Sequence, residues 1–119
     1  MKTTKQTGNR GENIAQEYLE KSGYEIIARN YRCQRLELDI IAIKNNRLIF
    51  FEIKTRFQNK EDDADIPLAA RQIKNLKRAI TNYYLKKRVS SEKARLDLIV
   101  ISVDRATRLA VLKHYKNIF

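Results

Sequence analysis

The chain places acids where its own pattern calls for core. In the run Leu36-Glu-Leu-Asp-Ile-Ile-Ala-Ile43, strand alternation puts Glu37 and Asp39 on the face shared by Ile41 and Ile43. In Leu48-Ile-Phe-Phe-Glu-Ile-Lys54, Glu52 and Lys54 share a face with Leu48 and Phe50. A carboxylate among apolar neighbours is costly to bury unless something pairs with it. A divalent cation pairs with two at once. Mg²⁺ takes hard oxygen ligands, commonly one or two protein carboxylates, with water and substrate phosphate completing its octahedron. A hairpin closed by Asn45-Asn46, residues that tolerate positive φ, sets Asp39 nearly opposite Glu52 and lets both carboxylates reach one ion. Lys54, at the same sheet edge, has the charge to orient an attacking water or to stabilise a phosphate during in-line displacement. The competing reading is a cross-strand salt bridge of Lys54 with Asp39 or Glu52, without chemistry. A Glu-x-Lys triplet says little by itself in so charged a chain. Its weight comes from the apolar strand around it and from Asp39 opposite.

The elements that must position these groups follow from periodicity. Arg10 to Ser22 carries Ile14, Ala15, Tyr18 and Leu19 at helical spacing, and Gly23 stands where a left-handed helix terminator belongs. Strands are expected over Tyr24 to Tyr31, Leu36 to Lys44 and Arg47 to Lys54. A polar, acidic loop from Gln58 to Asp65 leads to Pro67, suited to the first turn of a helix that runs to about Lys87. Ile73, Leu76, Ile80 and Tyr83 form that helix's buried stripe, and Arg71, Lys74, Lys77 and Arg78 its basic face. Ala94 to Val103 and Arg108 to Tyr115 are the last two strands. The order α-β-β-β-α-β-β predicts an α+β protein, one domain with a mixed central sheet flanked by helices, whose fourth strand runs parallel to the third across the helical connection. Glu12 is a further acid for the site if the first helix crosses the hairpin. Gln72, one turn before Leu76, points along the sheet-facing edge of the second helix.

The 119 residues hold 25 Lys and Arg against 14 Asp and Glu, a net charge of +11. A field of that sign favours polyanions: nucleic acid first, then acidic protein or anionic lipid. The apolar runs Ile40 to Ile43 and Leu98 to Val103 fall far short of a membrane span, and the polar start of the chain lacks a signal peptide's apolar segment, so the cytoplasm is the expected compartment. A single cysteine, Cys33, excludes an internal disulfide and a cysteine-based zinc cluster, and reads as a small hydrophobe. His114, the one histidine, reads as packed or surface-lying rather than catalytic. Asp97, set in an apolar strand, is expected to pair with Arg95 or with backbone amides. Arg71, Lys74 and Arg78 form a stripe suited to tracking phosphates, although charged helix faces are commonly only solvated.

Gly11-Glu12, Ala15, Tyr18-Leu19, Gly23-Tyr24, Arg29-Asn30-Tyr31-Arg32, Glu37-Leu-Asp39-Ile-Ile-Ala42, Phe51-Glu-Ile-Lys54-Thr-Arg56, Arg71-Gln72, Leu96-Asp97 and Asn117-Ile-Phe119 cover nearly the whole chain, in order. In these the sequence resembles the YraN-type family, uncharacterised protein family 0102. That family is in turn similar to Holliday junction resolvases of the PD-(D/E)XK nuclease group. The resemblance implies a restriction-endonuclease-like αβββαβ core. It also implies Asp39, Glu52 and Glu12 as ligands of Mg²⁺ or Mn²⁺, with Lys54 and Gln72 completing the catalytic set and Arg56, with the Arg71-Lys74-Arg78 stripe, near the nucleic acid. Leu36 stands where the family usually has glycine. The expected function is metal-dependent hydrolysis of structured or branched DNA, by a homodimer if the substrate is two-fold. The alternatives are a non-catalytic nucleic-acid-binding module on the same fold, or a protein-interaction subunit of a DNA-processing complex.

Overall fold

The computed structural model describes residues 4–58, 68–87 and 94–118. Two helices, α1 (Thr4–Lys21) and α2 (Ala70–Lys87), flank a sheet of β1 (Glu25–Cys33), β2 (Leu36–Lys44), β3 (Arg47–Gln58), β4 (Arg95–Asp104) and β5 (Ala110–Tyr115). The strands lie in chain order across the sheet. β1, β2 and β3 form an antiparallel meander, β4 runs parallel to β3, and β5 returns antiparallel. The expected element order and the parallel β3–β4 pair are thus what the chain adopts. The acidic stretch after Gln58, and Pro67 as a helix opener, lie outside the described residues.

Two apolar clusters sandwich the sheet. Ala15 and Leu19 of α1 pack on Ile40, Ala42, Ile49, Phe51, Ile53, Ile99 and Ile101. On the other face Leu76, Ala79, Ile80, Tyr83 and Tyr84 of α2 pack on Leu38, Ile41, Phe50 and Leu96. Each buried Leu, Ile or Phe among them contributes roughly 1.5–3 kcal/mol relative to exposure. Asn45 and Asn46, with φ of 53° and 60°, make the left-handed two-residue turn between β2 and β3. Gly23 has φ 92°, and the amide after it, of Tyr24, donates to the Leu19 carbonyl at 2.9 Å, ending α1.

Two boundaries differ from expectation by four residues or more. α1 begins six residues before Arg10, at Thr4, because Gly8 and Gly11 mask the helical pattern without breaking the helix. β3 continues past Lys54 to Gln58, because β4 stays paired with it as far as Gln58 and Asp104 after β2 has left. Gly11 has a specific task. A Cβ there would collide with the Thr55 side chain on β3, so glycine lets α1 lie directly on the sheet and carries Glu12 to it.

Asp97 is fully buried. Arg95 grips it with two bonds of 2.8 and 2.7 Å, His114 Nε2 lies 2.7 Å away, and the Asn117 amide donates at 2.9 Å. Both partners foreseen for Asp97, Arg95 and a backbone amide, are there. His114 is packed, with Nε2 toward Asp97 and Nδ1 2.8 Å from the Tyr18 hydroxyl. Burial would raise the Asp97 carboxyl, but these bonds outweigh it and hold it at about 2. Asp97→Asn strands the Arg95 charge and loosens the segment after β5. A loss of about 3–5 kcal/mol in urea unfolding is expected, against a small change for an exposed control such as Glu20→Gln.

Candidate active site

The site sits where β2 and β3 part. Their ladder runs from Lys44 and Arg47 to Ile40 and Phe51 and goes no further. Beyond that point the Ile53 amide donates to Asp39 Oδ2 at 2.8 Å, so a side chain takes the place of the missing strand. The divergence has a local cause. Leu38 faces α2 whereas Ile40 faces α1, so alternation breaks across Asp39. Opposite, Arg29 bonds to α1 while Tyr31 packs on Tyr83 of α2, and Asn30 between them has φ 52°. Both strands therefore switch faces at one level. The expectation that Glu37 shares a face with Ile41 is corrected: with the break at Asp39, Glu37 turns toward α1. The Asn30 amide, oriented to donate, reaches Glu37 Oε1 at 2.9 Å and Glu12 Oε1 at 3.0 Å.

Glu52 faces α2 and is buried at 7% exposure. Gln72 Nε2 donates to its Oε2 at 2.7 Å, and Lys54 Nζ lies 3.8 Å from the same oxygen. Burial pushes the Glu52 carboxyl up, and the hydrogen bond and charge of Asp39 push it further, to about 9, against the pull of Lys54 and Gln72. Glu12 is raised as well, by burial first and then by Asp39, while Arg29 at 3.4 Å and Asn30 offset part of this. Arg29 also donates to Asn13 and Gln16, which fastens α1 to β1.

Asp39, Glu52, Lys54 and Gln72 thus come together, and Glu12 approaches Asp39 from the α1 side. The salt bridge weighed against catalysis is also real, in its Glu52–Lys54 form. Its pull on the Glu52 carboxyl is outweighed by burial and by Asp39. An open cleft of about 170 Å³ borders Glu52, walled by Arg35, Leu36 and Glu37 on one side and by Gln72, Asn75 and Leu76 on the other. Arg71, Lys74 and Arg78 are exposed on α2 beside it. Arg56 is half-buried and donates through Nε to Ser102 Oγ at 3.1 Å. Sequence reasoning missed Arg29 and the switch at Asn30. An asparagine inside a strand, a residue poor at strand but tolerant of positive φ, was the available signal.

An αβββαβ order, a mixed sheet with a helix on each face, and paired carboxylates with a lysine where the central strands part define a restriction-endonuclease-like α+β protein. The chain belongs to the uncharacterised protein family UPF0102, whose model matches residues 11–101. A UPF0102 protein of Caldicellulosiruptor saccharolyticus is 31% identical over 115 residues, 97% of this chain and 98% of its own. One from Geobacter metallireducens is 30% identical over 97% of this chain and 93% of its own. One from Christiangramia forsetii is 37% identical over 83% and 82%. Among solved structures, SfsA of Pyrococcus furiosus in complex with Ca²⁺ is similar over 95% of this chain and 63% of that one, at 18% identity and a TM-score of 0.46. Among the described residues no helix is long and apolar enough to cross a membrane.

The raised Glu52 carboxyl has a thermodynamic signature. Between the ordinary carboxyl value of 4.5 and about 9, the folded protein keeps a proton on Glu52 that the unfolded chain releases. Stability therefore falls as pH rises through that window. In the presence of a chelator the unfolding midpoint is expected to drop with pH, and Glu52→Gln to flatten the slope and melt higher at alkaline pH. Equal slopes for the two proteins would mean that Glu52 is ionised in the fold.

Proposed function

We propose that this protein is a divalent-cation-dependent endonuclease that hydrolyses phosphodiester bonds in structured or branched DNA. One observation supports this above all: the buried Glu52 carboxyl stands beside the Asp39 carboxylate at the border of an open cleft, with the Lys54 ammonium 3.8 Å from it. The donor set suits Mg²⁺ or Mn²⁺. Asp39 and Glu52 would hold the cation, with Glu12 on the α1 side, close enough to Asp39 to feel its charge. When bound, the cation would neutralise phosphate charge and make a water acidic enough to attack. The surrounding residues have definable tasks. Gln72 fixes Glu52 through Oε2, and the Ile53 amide fixes Asp39, so neither acid needs to reorganise as charge builds. Lys54, about one third exposed, is free to turn its ammonium from Glu52 to a phosphate oxygen as negative charge develops there. Arg71, Lys74 and Arg78, together with the net charge of +11, supply the attraction that draws a polyanion to this face. A two-fold pair of chains would offer two clefts to a two-fold junction.

The second reading, a non-catalytic nucleic-acid-binding module, is favoured by a different observation. Among the described residues no group of three or more His, Cys, Asp or Glu is arranged to hold a metal ion. Labelled four-way junctions and flaps incubated with Mg²⁺ or Mn²⁺ separate the two. The nuclease reading expects cleavage that Glu52→Gln and Lys54→Ala each reduce by about 100-fold or more, with DNA binding retained. Tight, salt-sensitive binding without any cut in either cation would favour the module.

A further inference from the structure

The cleft has a wall that no catalytic role explains. β1 and β2 stay paired to the end of their hairpin, through Arg32 with Glu37 and Cys33 with Leu36, leaving Gln34 and Arg35 as a two-residue turn. Gln34 takes φ 57°, and Cys33 beneath the turn is buried at 3% exposure. Leu36 packs into the α2-side cluster, and Arg32 lies 3.6 Å from Glu37. The face switch at Asn30 and Asp39 swings this hairpin end toward α2. The backbone of Arg35 is therefore set by the closing Cys33–Leu36 pair, while its side chain is exposed at the cleft. It is also the one basic residue among the described lining of that cleft, whose other charged members are Glu37 and Glu52.

The geometry points to Arg35 as a backbone clamp that grips a nucleic-acid phosphate across the cleft from Gln72 and Asn75 of α2. This rests on the nuclease reading and deepens it by assigning a substrate-positioning contact to the β1–β2 turn. Neither Glu37 nor Glu52 in the lining attracts a phosphodiester, so the cleft needs a cation of its own for a strand to enter. A guanidinium on a fixed turn suits the task. Its planar fork matches two phosphate oxygens, and a rigid turn loses little entropy in holding it there. The contact is made to a phosphate next to the one cleaved, because Asp39, Glu52 and Lys54 surround the reacting group. Asn75, across the cleft mouth on α2, offers an amide to the same strand. Arg35 is a positioning residue: it sets where the strand lies and takes no part in bond breaking.

The test pairs binding with turnover on a fluorescein-labelled four-way junction, using Arg35→Ala and Arg35→Lys. Anisotropy titrations over a range of salt are run with Ca²⁺, and cleavage is measured with Mg²⁺. Loss of one charged phosphate contact is expected to raise Kd and KM by about 10-fold, with kcat within about twofold of the unchanged protein. The slope of log affinity against log salt should shrink by about 0.9 in Arg35→Ala, and Arg35→Lys should restore it. Unchanged KM and salt slope in Arg35→Ala, with the parent protein still cutting, would overturn the clamp and leave the nuclease reading intact. A fall in kcat alone would overturn it as well, since a clamp acts on binding. A parent protein that neither binds nor cuts the junction would remove both.

Discussion

Everything about the site follows from two central strands that stop pairing while one of them continues. β3 needs a partner for the Ile53 amide once β2 has turned aside, and Asp39, the first β2 residue beyond the ladder, provides it. That bond fixes Asp39 at the point of divergence, beside the Glu52 carboxyl. The opening so created is lined by side chains instead of backbone, which is what a cleft in the middle of a sheet requires. β4 keeps β3 straight from the other side, so the departure of β2 costs the sheet little.

The two buried acids show how environment divides structural from reactive charge. Asp97 lies on the α1 face with a bidentate arginine, a histidine and an amide around it, and its charge is so well matched that it stays ionised to about 2. Glu52 lies on the α2 face with one amide and a lysine at 3.8 Å, and it holds its proton to about 9. Both sit in apolar strands, and from the sequence they look alike. The first is a closed account of partners that pins the last strand. The second has one more distant lysine and a neighbouring acid in place of such a set, and sites of that kind are where enzymes place chemistry.

The order of elements, the crossover and the turn at Asn45-Asn46 were legible because hydrophobic period and turn chemistry decide them locally. So was the meeting of Asp39, Glu52 and Lys54, which a hairpin register suggests, whereas Gln72 joined them only through the family resemblance. The path of the β1–β2 hairpin was not legible. Alternation assumes an unbroken pleat, and the paired switches at Asn30 and Asp39 reverse it for the outer half of the hairpin. Neither reversal leaves a periodic trace, because each spans one residue. The role of Arg95 was readable from its nearness to Asp97, whereas His114 comes to the same carboxylate from a strand 17 residues away in sequence, which pattern alone does not connect.

Gly11 sets a spacing by what it lacks. With no side chain there, the helix rests its backbone on Thr55, and the reach of Glu12 toward the sheet is gauged by that bare contact. A single methyl group would act as a shim, lifting the helix and withdrawing its acid without altering any charged residue.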